Sequence, residues 1–479
     1  MVEVFDSDIL EILEYWREKE IYVWEEDGKL KYKGKKEQIS NDIISELRMK
    51  KEILVNFFQR CKKNEFPLSS LQSAYLIGER SDCELGNTNA HYYIEFESPS
   101  INAGKLEDII NILIEKHDAL RMVVLKEDVN VILDKLPLYK LPMYSYINTE
   151  TRIKVRNKWE NHNYNPRRWP MFHFEVGQAN NGNDVLHISF DCLILDAWSA
   201  KRLIDEMFKL YSGQSVDFPQ LTFKNYMEKM KSYNYKLKKQ AEVYWKEQLK
   251  TMTLYTLKTR IPIASIVNPV FARVEYIFSV KETKQLYDQI KKHKLTPAAV
   301  LCLLFIKTLC EQFAKQGITM NVTLFNRISF DKNVDQVIGE FTNVGVVTYS
   351  MAESVSLFQD AKNIQSQFWK LVQYREYDGT KLIKYLGNGS VGKAVLPIVY
   401  TCMLDGSEST RQSVFREVYA LSKTPQVMLN HHVRDDFGKL KLSFDYVKGL
   451  FSQEDMQELM ATYTQKIKSV ISEFDWEYV

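Results

Sequence analysis

The hydrophobic pattern of this 479-residue chain changes at Phe66, and the change separates a small leading unit from a much longer body. Before it, the pattern predicts one short helix, one hairpin and a second helix. After it, longer strands and helices alternate. Since a domain takes roughly 150 residues, the length predicts about three folding units. We place a leading unit at 1–62, a first lobe at 63–250 and a second lobe at 251–479.

The leading unit is predicted to be a helix, a hairpin and a helix. Apolar residues at helical spacing run from Ile9 to Trp16. Asp27-Gly28 lies between two β-rich segments and predicts a tight hairpin turn. A second helix, capped near Ser40, extends to about Arg60. A unit this small buries little apolar surface, which suits an adaptor.

The second hairpin strand and the residues after it, KLKYKGKK, hold five lysines in eight residues. One interpretation is a solvated edge that charge protects from aggregation. The other is a receptor for an acidic extended peptide that adds a strand to the hairpin. The two are compatible. The candidate docking residues are Lys29, Lys31, Lys33 and Lys35.

The net charge limits the classes of binding partner, and the cysteine usage indicates the cellular compartment. The 64 Lys and Arg residues against 62 Asp and Glu leave a net charge of +2, so we expect no nucleic-acid or membrane partner. Six cysteines without a CxxC pair indicate free thiols in a reducing compartment and no metal site. The acidic N-terminus is not a signal peptide, and the most apolar run, 299–310, is too short to span a bilayer. We expect a cytoplasmic protein.

Short motifs follow one another along the body in a fixed order. The segment DCLILDAWS at 191–199 has the form DxxxxDxxS. Alone it carries little weight, because two acids and a serine recur by chance and suit a capped turn from strand to helix. The accompanying motifs give it weight. They are FPLSSLQSAYLIGER (66–80), LIEKHDALR (113–121), RRWPMF (167–172), YWKEQL (244–249), LTPAAVL (295–301), NVTLFNR (321–327), IGEFTNV (338–344), VYTCML (399–404) and KTPQVMLNHH (423–432).

In order and spacing these motifs resemble the condensation superfamily of nonribosomal peptide synthetases, in the form found in heterocyclization domains. Ordinary condensation domains carry HHxxxDG where this chain has Asp191, Asp196 and Ser199. The resemblance covers about residues 66–470. The leading unit resembles, more weakly, the N-terminal docking domains of the tubulysin-megasynthetase type.

The resemblance implies a mixed α/β (α+β) fold. Two chloramphenicol-acetyltransferase-like lobes form a V-shaped pseudo-dimer, preceded by a small αββα docking domain. It also implies that donor and acceptor carrier proteins bring thioesters on phosphopantetheine arms, while the chain itself binds no cofactor. No adenylation signature or phosphopantetheine-attachment serine follows the last motif, so we expect loaded carriers from elsewhere. The docking domain is expected to bind the acidic C-terminal tail of an upstream synthetase or polyketide synthase.

The implied reaction has two steps. A carrier-bound Cys, Ser or Thr attacks the donor thioester to form an amide, and its side chain then attacks that amide with loss of water, giving a thiazoline or oxazoline. The first step needs little help, because an α-amine with a pKa of about 8 is partly neutral and positioning lowers the barrier. Two alternatives stay open: a domain that condenses without closing a ring, and an inert docking scaffold.

The second step needs a proton delivered to oxygen and another removed from nitrogen, which a positioned carboxyl can do. The resemblance assigns this role to Asp445 of LKLSFDYVKGLF, with Thr424 as its hydroxyl partner. Asp191 and Asp196 are necessary in the family without being the acid–base group. We expect Asp196 to hold the turn and Ser199 to cap the following helix.

Four further residues are candidates for substrate binding: Gln426, Asn326, Asn343 and Cys192. A nucleophilic role for Cys192 is not expected, since the motif supplies no partner histidine. The family form TPQVWLDHQ is TPQVMLNHH here, which puts substrate preference in doubt more than reaction type. HHVRDD at 431–436 matches HHxxxD literally, but it lies in the wrong lobe, and we interpret it as coincidence.

Overall fold

The computed structural model describes residues 4–126, 128–146, 148–180, 182–233, 235–257, 259–390, 392–404, 414–472 and Trp476. Within these ranges the chain forms the leading unit and two lobes of mixed helix and sheet. The strands form sheets of two, three, five and six strands.

The leading unit differs from its prediction in one respect, because the second helix is two helices. The break falls at Lys50, whose backbone lies outside the helical region (φ −92°, ψ 2°). It lets Leu47 before the break and Leu54 after it bury in the same core. The elements are α1 (Asp6–Glu18), β1 (Tyr22–Glu26), β2 (Lys29–Lys33), α2 (Asn41–Met49) and α3 (Lys51–Asn64).

This unit is packed on the first lobe rather than tethered to it. Asp6 is buried and forms an ion pair with Arg60. Its carboxylate also accepts the backbone N–H groups of Asp134 at 3.1 Å and Lys135 at 3.0 Å, which belong to the first lobe. Val131 of that lobe lies in the same apolar cluster as the core of the leading unit. The hairpin therefore has a fixed position relative to the first lobe.

The first lobe is a five-stranded sheet with helices packed against it and a three-stranded sheet beside it. Asn102, Asn148 and Thr222 cap its helices by accepting backbone N–H groups. The elements are β3 (Glu65–Pro67), α4 (Ser70–Gly78), β4 (His91–Ser98), α5 (Ala103–Lys116), β5 (Met122–Lys126), β6 (Val129–Ile132), β7 (Met143–Tyr146), α6 (Thr149–Glu160), β8 (Phe172–Ala179), β9 (Asp184–Asp191), α7 (Ala197–Tyr211), α8 (Phe223–Ser232) and α9 (Tyr235–Thr251).

The second lobe is a six-stranded sheet in the order β10-β16-β15-β13-β11-β12, packed on its core helices. The segment between the lobes, predicted as a linker, contains no strand or α-helix from 254 to 257 and from 259 to 270. The elements are β10 (Phe271–Ile277), α10 (Val280–Lys292), α11 (Pro297–Gln312), β11 (Gly317–Phe325), β12 (Thr342–Ser350), α12 (Leu357–Gln373), α13 (Gly379–Leu386), β13 (Ile398–Met403), β14 (Arg416–Lys423), β15 (Leu429–Asp436), β16 (Lys439–Val447) and α14 (Gln453–Ile471).

Helix α11 is apolar nearly all round and lies in the core of the second lobe. Among the described helices, none is by itself long and apolar enough to cross a membrane. Helices α10 and α11 reach that length and composition only as a pair, across a bend of 100°.

Strand β14 joins the two lobes. It follows β13 of the second lobe in sequence, yet it pairs with β4 as the edge strand of the first lobe's sheet. Its last residue, Lys423, lies opposite His91. The motif that begins at Lys423 is thereby placed where the lobes meet.

The contact between the leading unit and the first lobe predicts the effect of Asp6→Asn. The amide accepts the N–H groups of Asp134 and Lys135 more weakly than the carboxylate does and also loses the ion pair with Arg60 of its own unit, so we expect this interface to weaken by about 1–3 kcal/mol. Hydrogen exchange of the intact chain should accelerate in residues 4–64. Glu11→Gln, an exposed change on the same helix, is the control. Equal exchange in Asp6→Asn and wild type would contradict this packing.

Candidate active site

The DxxxxDxxS motif forms the turn between β9 and α7. Asp191 ends the strand, and its Oδ1 accepts the backbone N–H of Leu193 at 2.8 Å. Asp196 is the N-cap of the helix and accepts the N–H of Ser199 at 2.6 Å. The capped strand-to-helix turn expected from the sequence is what the structure contains.

The end of this turn is bonded across the lobe junction. The Ser199 hydroxyl donates to the carbonyl of Gly339 at 2.7 Å and accepts from the Arg327 guanidinium at 2.7 Å. Arg327 also lies 3.4 Å from the Asp196 carboxylate. We call these four residues the interlobe latch. Because Asp196 and Ser199 use their polar atoms here, the structure supports a positioning role for both.

Asp191 faces a second group of titratable side chains. It is fully buried, and burial, with Glu79 nearby, raises its pKa well above the usual value. Burial also raises the pKa of Glu79 to about 7, against a hydrogen bond from Asn89. Burial lowers the pKa of Lys423 to about 8, although Asp191 and Glu160 oppose that change.

Cys192 follows Asp191 directly. Burial raises the pKa of its thiol well above the usual value, and the neighbouring acids raise it further. A thiol of this kind stays protonated at neutral pH and is a poor nucleophile. The assignment of Cys192 to substrate binding stays a prediction.

Asp445 lies on β16, on the face of the six-stranded sheet that is directed towards β14. Its two oxygens accept from the Arg273 guanidinium, each at 2.6 Å, and Oδ2 accepts the backbone N–H of Ser422 at 3.0 Å. His432 Nε2 lies 3.2 Å from Oδ2, without hydrogen-bond alignment. Burial alone would raise the pKa of Asp445, but Arg273 and His432 lower it to about 2.

Strand β14 runs between Asp191 of the first lobe and Asp445 of the second lobe. Ser422 bonds to Asp445 on one side. The next residue, Lys423, donates to the carbonyl of His162 at 3.0 Å and to Asn163 Oδ1 at 3.1 Å in the first lobe. Thr424 comes next and is half-buried. The structure thus places Asp445 and Thr424 at the lobe junction.

The side chains of the remaining substrate-binding candidates form hydrogen bonds mainly with backbone carbonyl groups. Gln426 has a left-handed backbone (φ 62°), and its side-chain amide donates to the carbonyl of Lys393 at 3.1 Å. Asn326 and Asn343 both donate to the carbonyl of Arg375, at 3.1 and 3.0 Å. These contacts hold the segment between α12 and α13, so positioning explains both asparagines.

Several groups at the junction were not singled out from the sequence. Arg327 ends the motif NVTLFNR, Lys423 begins KTPQVMLNHH and Glu79 lies in the opening motif, so each had a signal of position. Arg273 lies in an ordinary strand sequence, and no motif marked its position. His432 lies in HHVRDD, whose match to HHxxxD was interpreted from the sequence as coincidence.

A cleft of about 520 Å³ opens between the lobes. Arg152 and Arg156 of α6 line it from the first lobe, and Glu275 and Lys441 line it from the second. Another cavity, of about 490 Å³, lies between β10 and α14, away from the motif residues. The described residues contain no group of three or more His, Cys, Asp or Glu side chains that could hold a metal ion.

The hairpin presents a basic and aromatic outer face. The alternation of side chains along β2 and the pairing of β2 with β1 place the basic and the aromatic side chains of the hairpin on one face. Lys35, also predicted to dock, forms an ion pair with Glu20 instead. The outer face comprises Lys29, Lys31, Lys33, Tyr22, Trp24 and the exposed acid Glu26, which lies opposite Lys29.

Two family models match this chain. One, described as the condensation domain, matches residues 62–476, and one described as the TubC N-terminal docking domain matches residues 9–60. The chain belongs to the condensation-domain family. The leading unit is accordingly a docking domain, and the predicted family resemblance is confirmed.

Curated relatives of this condensation domain are longer synthetases. Bacitracin synthase 1 of Bacillus licheniformis is 27% identical over 429 residues, covering 85% of the chain and 8% of the relative. Pyochelin synthetase PchF of Pseudomonas aeruginosa is 22% identical over 472 residues (92% and 26%). Phenyloxazoline synthase MbtB of Mycobacterium sp. is 22% identical over 394 residues (81% and 34%). The chain spans about a third of these relatives or less.

Solved structures show the same fold. The EpoB nonribosomal peptide synthetase cyclization-docking bidomain of Sorangium cellulosum superimposes with a TM-score of 0.78 at 19% identity, covering 98% of this chain and 99% of that one. The nonribosomal peptide synthetase FmoA3 gives 0.74 at 19% identity, with 87% and 44% covered. The predicted two-lobed fold with its docking domain is confirmed.

The interlobe latch predicts the effect of Ser199→Ala. The change removes the hydroxyl that bonds Gly339 and Arg327, so we expect the free energy of unfolding to fall by about 2–3 kcal/mol, measured by urea denaturation. Ser73→Ala, whose hydroxyl bonds only within its own helix, should cost less than about 0.5 kcal/mol. Lost activity in Ser199→Ala at unchanged stability would contradict the positioning role.

Proposed function

We propose that this condensation domain joins a carrier-bound acyl or aminoacyl thioester to carrier-bound Cys, Ser or Thr and closes the product to a thiazoline or oxazoline. The observation that carries the proposal is the DxxxxDxxS turn. Where HHxxxDG has its second histidine, this turn has Cys192, a half-buried thiol with a raised pKa. The turn therefore offers no histidine base and serves to hold the lobes.

The printed names of the relatives favour ring formation over condensation alone. Phenyloxazoline synthase is named for an oxazoline product, and the EpoB bidomain is named for cyclization. The EpoB bidomain also shares the arrangement of docking domain and catalytic domain over nearly the whole chain.

Amide formation in this proposal depends on positioning. Donor and acceptor carrier proteins bring their phosphopantetheine arms to the lobe junction, and the acceptor amine attacks the donor thioester. A partly neutral amine needs no strong base, and holding the two reactants together supplies much of the rate.

Ring closure in this proposal uses Asp445, with Thr424 nearby on the segment that follows β14. Because its pKa is about 2, Asp445 is ionised at neutral pH. It acts as an acceptor and as a fixed negative charge for the cationic stage of water loss, not as the proton donor. Thr424 orients the departing oxygen.

Asp445→Asn tests this role. With donor and acceptor carriers loaded, wild type should give a product one water lighter than the open amide. The variant should form amide while ring closure falls about 100-fold or more, followed by mass spectrometry. Ring closure at the wild-type rate would remove Asp445 from the chemistry.

A second variant separates chemistry from packing, because Asp445→Asn leaves the Arg273 charge buried. Arg273→Gln combined with Asp445→Asn removes both charges and should regain stability without regaining ring closure. If wild type itself yields only the open amide, the domain condenses without closing a ring. If wild type yields neither product, the scaffold alternative holds.

We also propose that the docking domain binds the acidic C-terminal tail of an upstream synthetase or polyketide synthase. The tail adds a strand to the hairpin, with its carboxylates on Lys29, Lys31 and Lys33. Trp24 and Tyr22, 38% and 47% exposed, provide apolar contact on the same face.

Charge reversal tests this surface. Lys31→Glu with Lys33→Glu should weaken binding of a synthetic acidic peptide about tenfold or more, measured by fluorescence anisotropy at low salt. Lys51→Glu, at the start of α3, is the control for a change of charge outside the hairpin. Reversal of Lys35, which is occupied by Glu20, should have a smaller effect. Unchanged affinity in the double variant would refute this binding mode.

A further inference from the structure

The register of the six-stranded sheet places a histidine beside Asp445. Asp445 of β16 lies opposite Asn430 of β15 and opposite Arg273 of β10. Since side chains alternate along a strand, His432, two residues after Asn430, is on the same face. Its Nε2 lies 3.2 Å from Asp445 Oδ2. An imidazole and a carboxylate are therefore in contact at the lobe junction.

The neighbouring histidine points the other way. His431 Nδ1 lies 3.1 Å from the carbonyl of Ser443, and its Nε2 lies 3.2 Å from the Tyr463 hydroxyl, in the core of the second lobe. The alternation of the strand thus gives the two adjacent histidines different surroundings. His432 alone of the two is beside the carboxylate.

Asp445 is not free to exchange protons at neutral pH. Arg273 holds both of its oxygens and the Ser422 N–H holds one of them. Asp445 is 0% exposed and Arg273 6% exposed, whereas the side chain of His432 is 12% exposed. The histidine is the most exposed of these three side chains.

Charges on three strands face the imidazole. Asp445 on β16 favours its protonation, while Arg273 on β10 and Arg434 on its own strand oppose it. Arg434 is itself paired with Glu417 of β14. Burial is the largest influence and lowers the pKa of His432 below its usual value, so the ring is neutral at neutral pH and can accept a proton.

We propose that His432 is a catalytic residue that transfers protons during ring closure and that Asp445 positions it. The inference rests on the proposed function, ring formation. The family form TPQVWLDHQ has Gln in the place of His432. The carboxylate 3.2 Å from Nε2 favours the form of the ring with its proton on that nitrogen, so Nδ1 is the atom that exchanges protons.

The proton transfers of ring closure balance without a co-reactant. As the side-chain sulfur or oxygen bonds to the amide carbon, Nδ1 takes its proton and returns it to the former carbonyl oxygen, which becomes a hydroxyl. Nδ1 then takes the amide N–H proton as the C=N bond forms and the C–O bond breaks. The departing hydroxide receives that proton and leaves as water, so the imidazole ends neutral.

His432→Gln is the decisive variant. The intact chain is mixed with a donor carrier bearing a benzoyl group and acceptor carriers bearing Cys, Ser or Thr, and both products are weighed over time. Ring closure should fall about 100-fold, while amide formation stays within about threefold of wild type. His173→Gln is the matched control, because that histidine is 13% exposed and lies 2.9 Å from the Glu175 carboxylate in the first lobe.

The pH profile gives a second readout. In wild type, ring closure should decline as pH falls through the pKa of His432, since protonation removes the base. His432→Gln should lack that decline. A structural role for His432 would lower both products together and leave the profile unchanged.

A measurement on the wild-type fold covers the case in which His432→Gln does not fold. Long-range ¹H–¹⁵N NMR spectra of histidine-labelled chain report the titration of His432, and Asp445→Asn should lower its pKa further. Ring closure at full rate in His432→Gln, or a His432 titration insensitive to Asp445→Asn, would overturn the inference. Absence of ring product in wild type would instead overturn the proposed function and this inference with it.

Discussion

The pairing of β14 with β4 is the constraint on which the rest of the molecule depends. A strand from the second part of the chain completes the sheet of the first lobe, so the lobes cannot separate without breaking a ladder of backbone hydrogen bonds. Ser422 and Lys423, the last residues of that strand, bond in opposite directions, to Asp445 and to the His162 carbonyl. The junction is thereby built around a backbone with a fixed position.

Two buried arginine–carboxylate pairs act on this junction in different ways. Arg327 and Asp196 connect the lobes, whereas Arg273 and Asp445 are neighbours within one sheet. Buried pairs contribute less to stability than their Coulomb energy indicates, because both charges lose water. Their value here lies in geometry, because each guanidinium fixes the position of a carboxylate.

Sequence reasoning succeeded where the information is local or where motifs follow in order. The helical spacing from Ile9 to Trp16 and the turn at Asp27-Gly28 predicted α1 and the hairpin of β1 and β2, and the order of motifs predicted the family and its fold. It could not give the partner of β14, because β4 lies more than 300 residues earlier. Arg273 was missed for the same reason, since its contact with Asp445 spans 172 positions.

The adjacent histidines show the limit of motif matching most clearly. HHVRDD resembles a condensation motif in letters, yet a strand directs consecutive side chains to opposite faces, so both histidines cannot serve one site. The core contacts of His431 exclude it, and only the register of β15 against β16 reveals that His432 meets a carboxylate already paired with Arg273. In the proposed reaction, a base is needed for the loss of water rather than for amide formation. His432 lies beside Asp445, and the DxxxxDxxS turn contains no histidine. This placement is consistent with water loss being the step that needs a base.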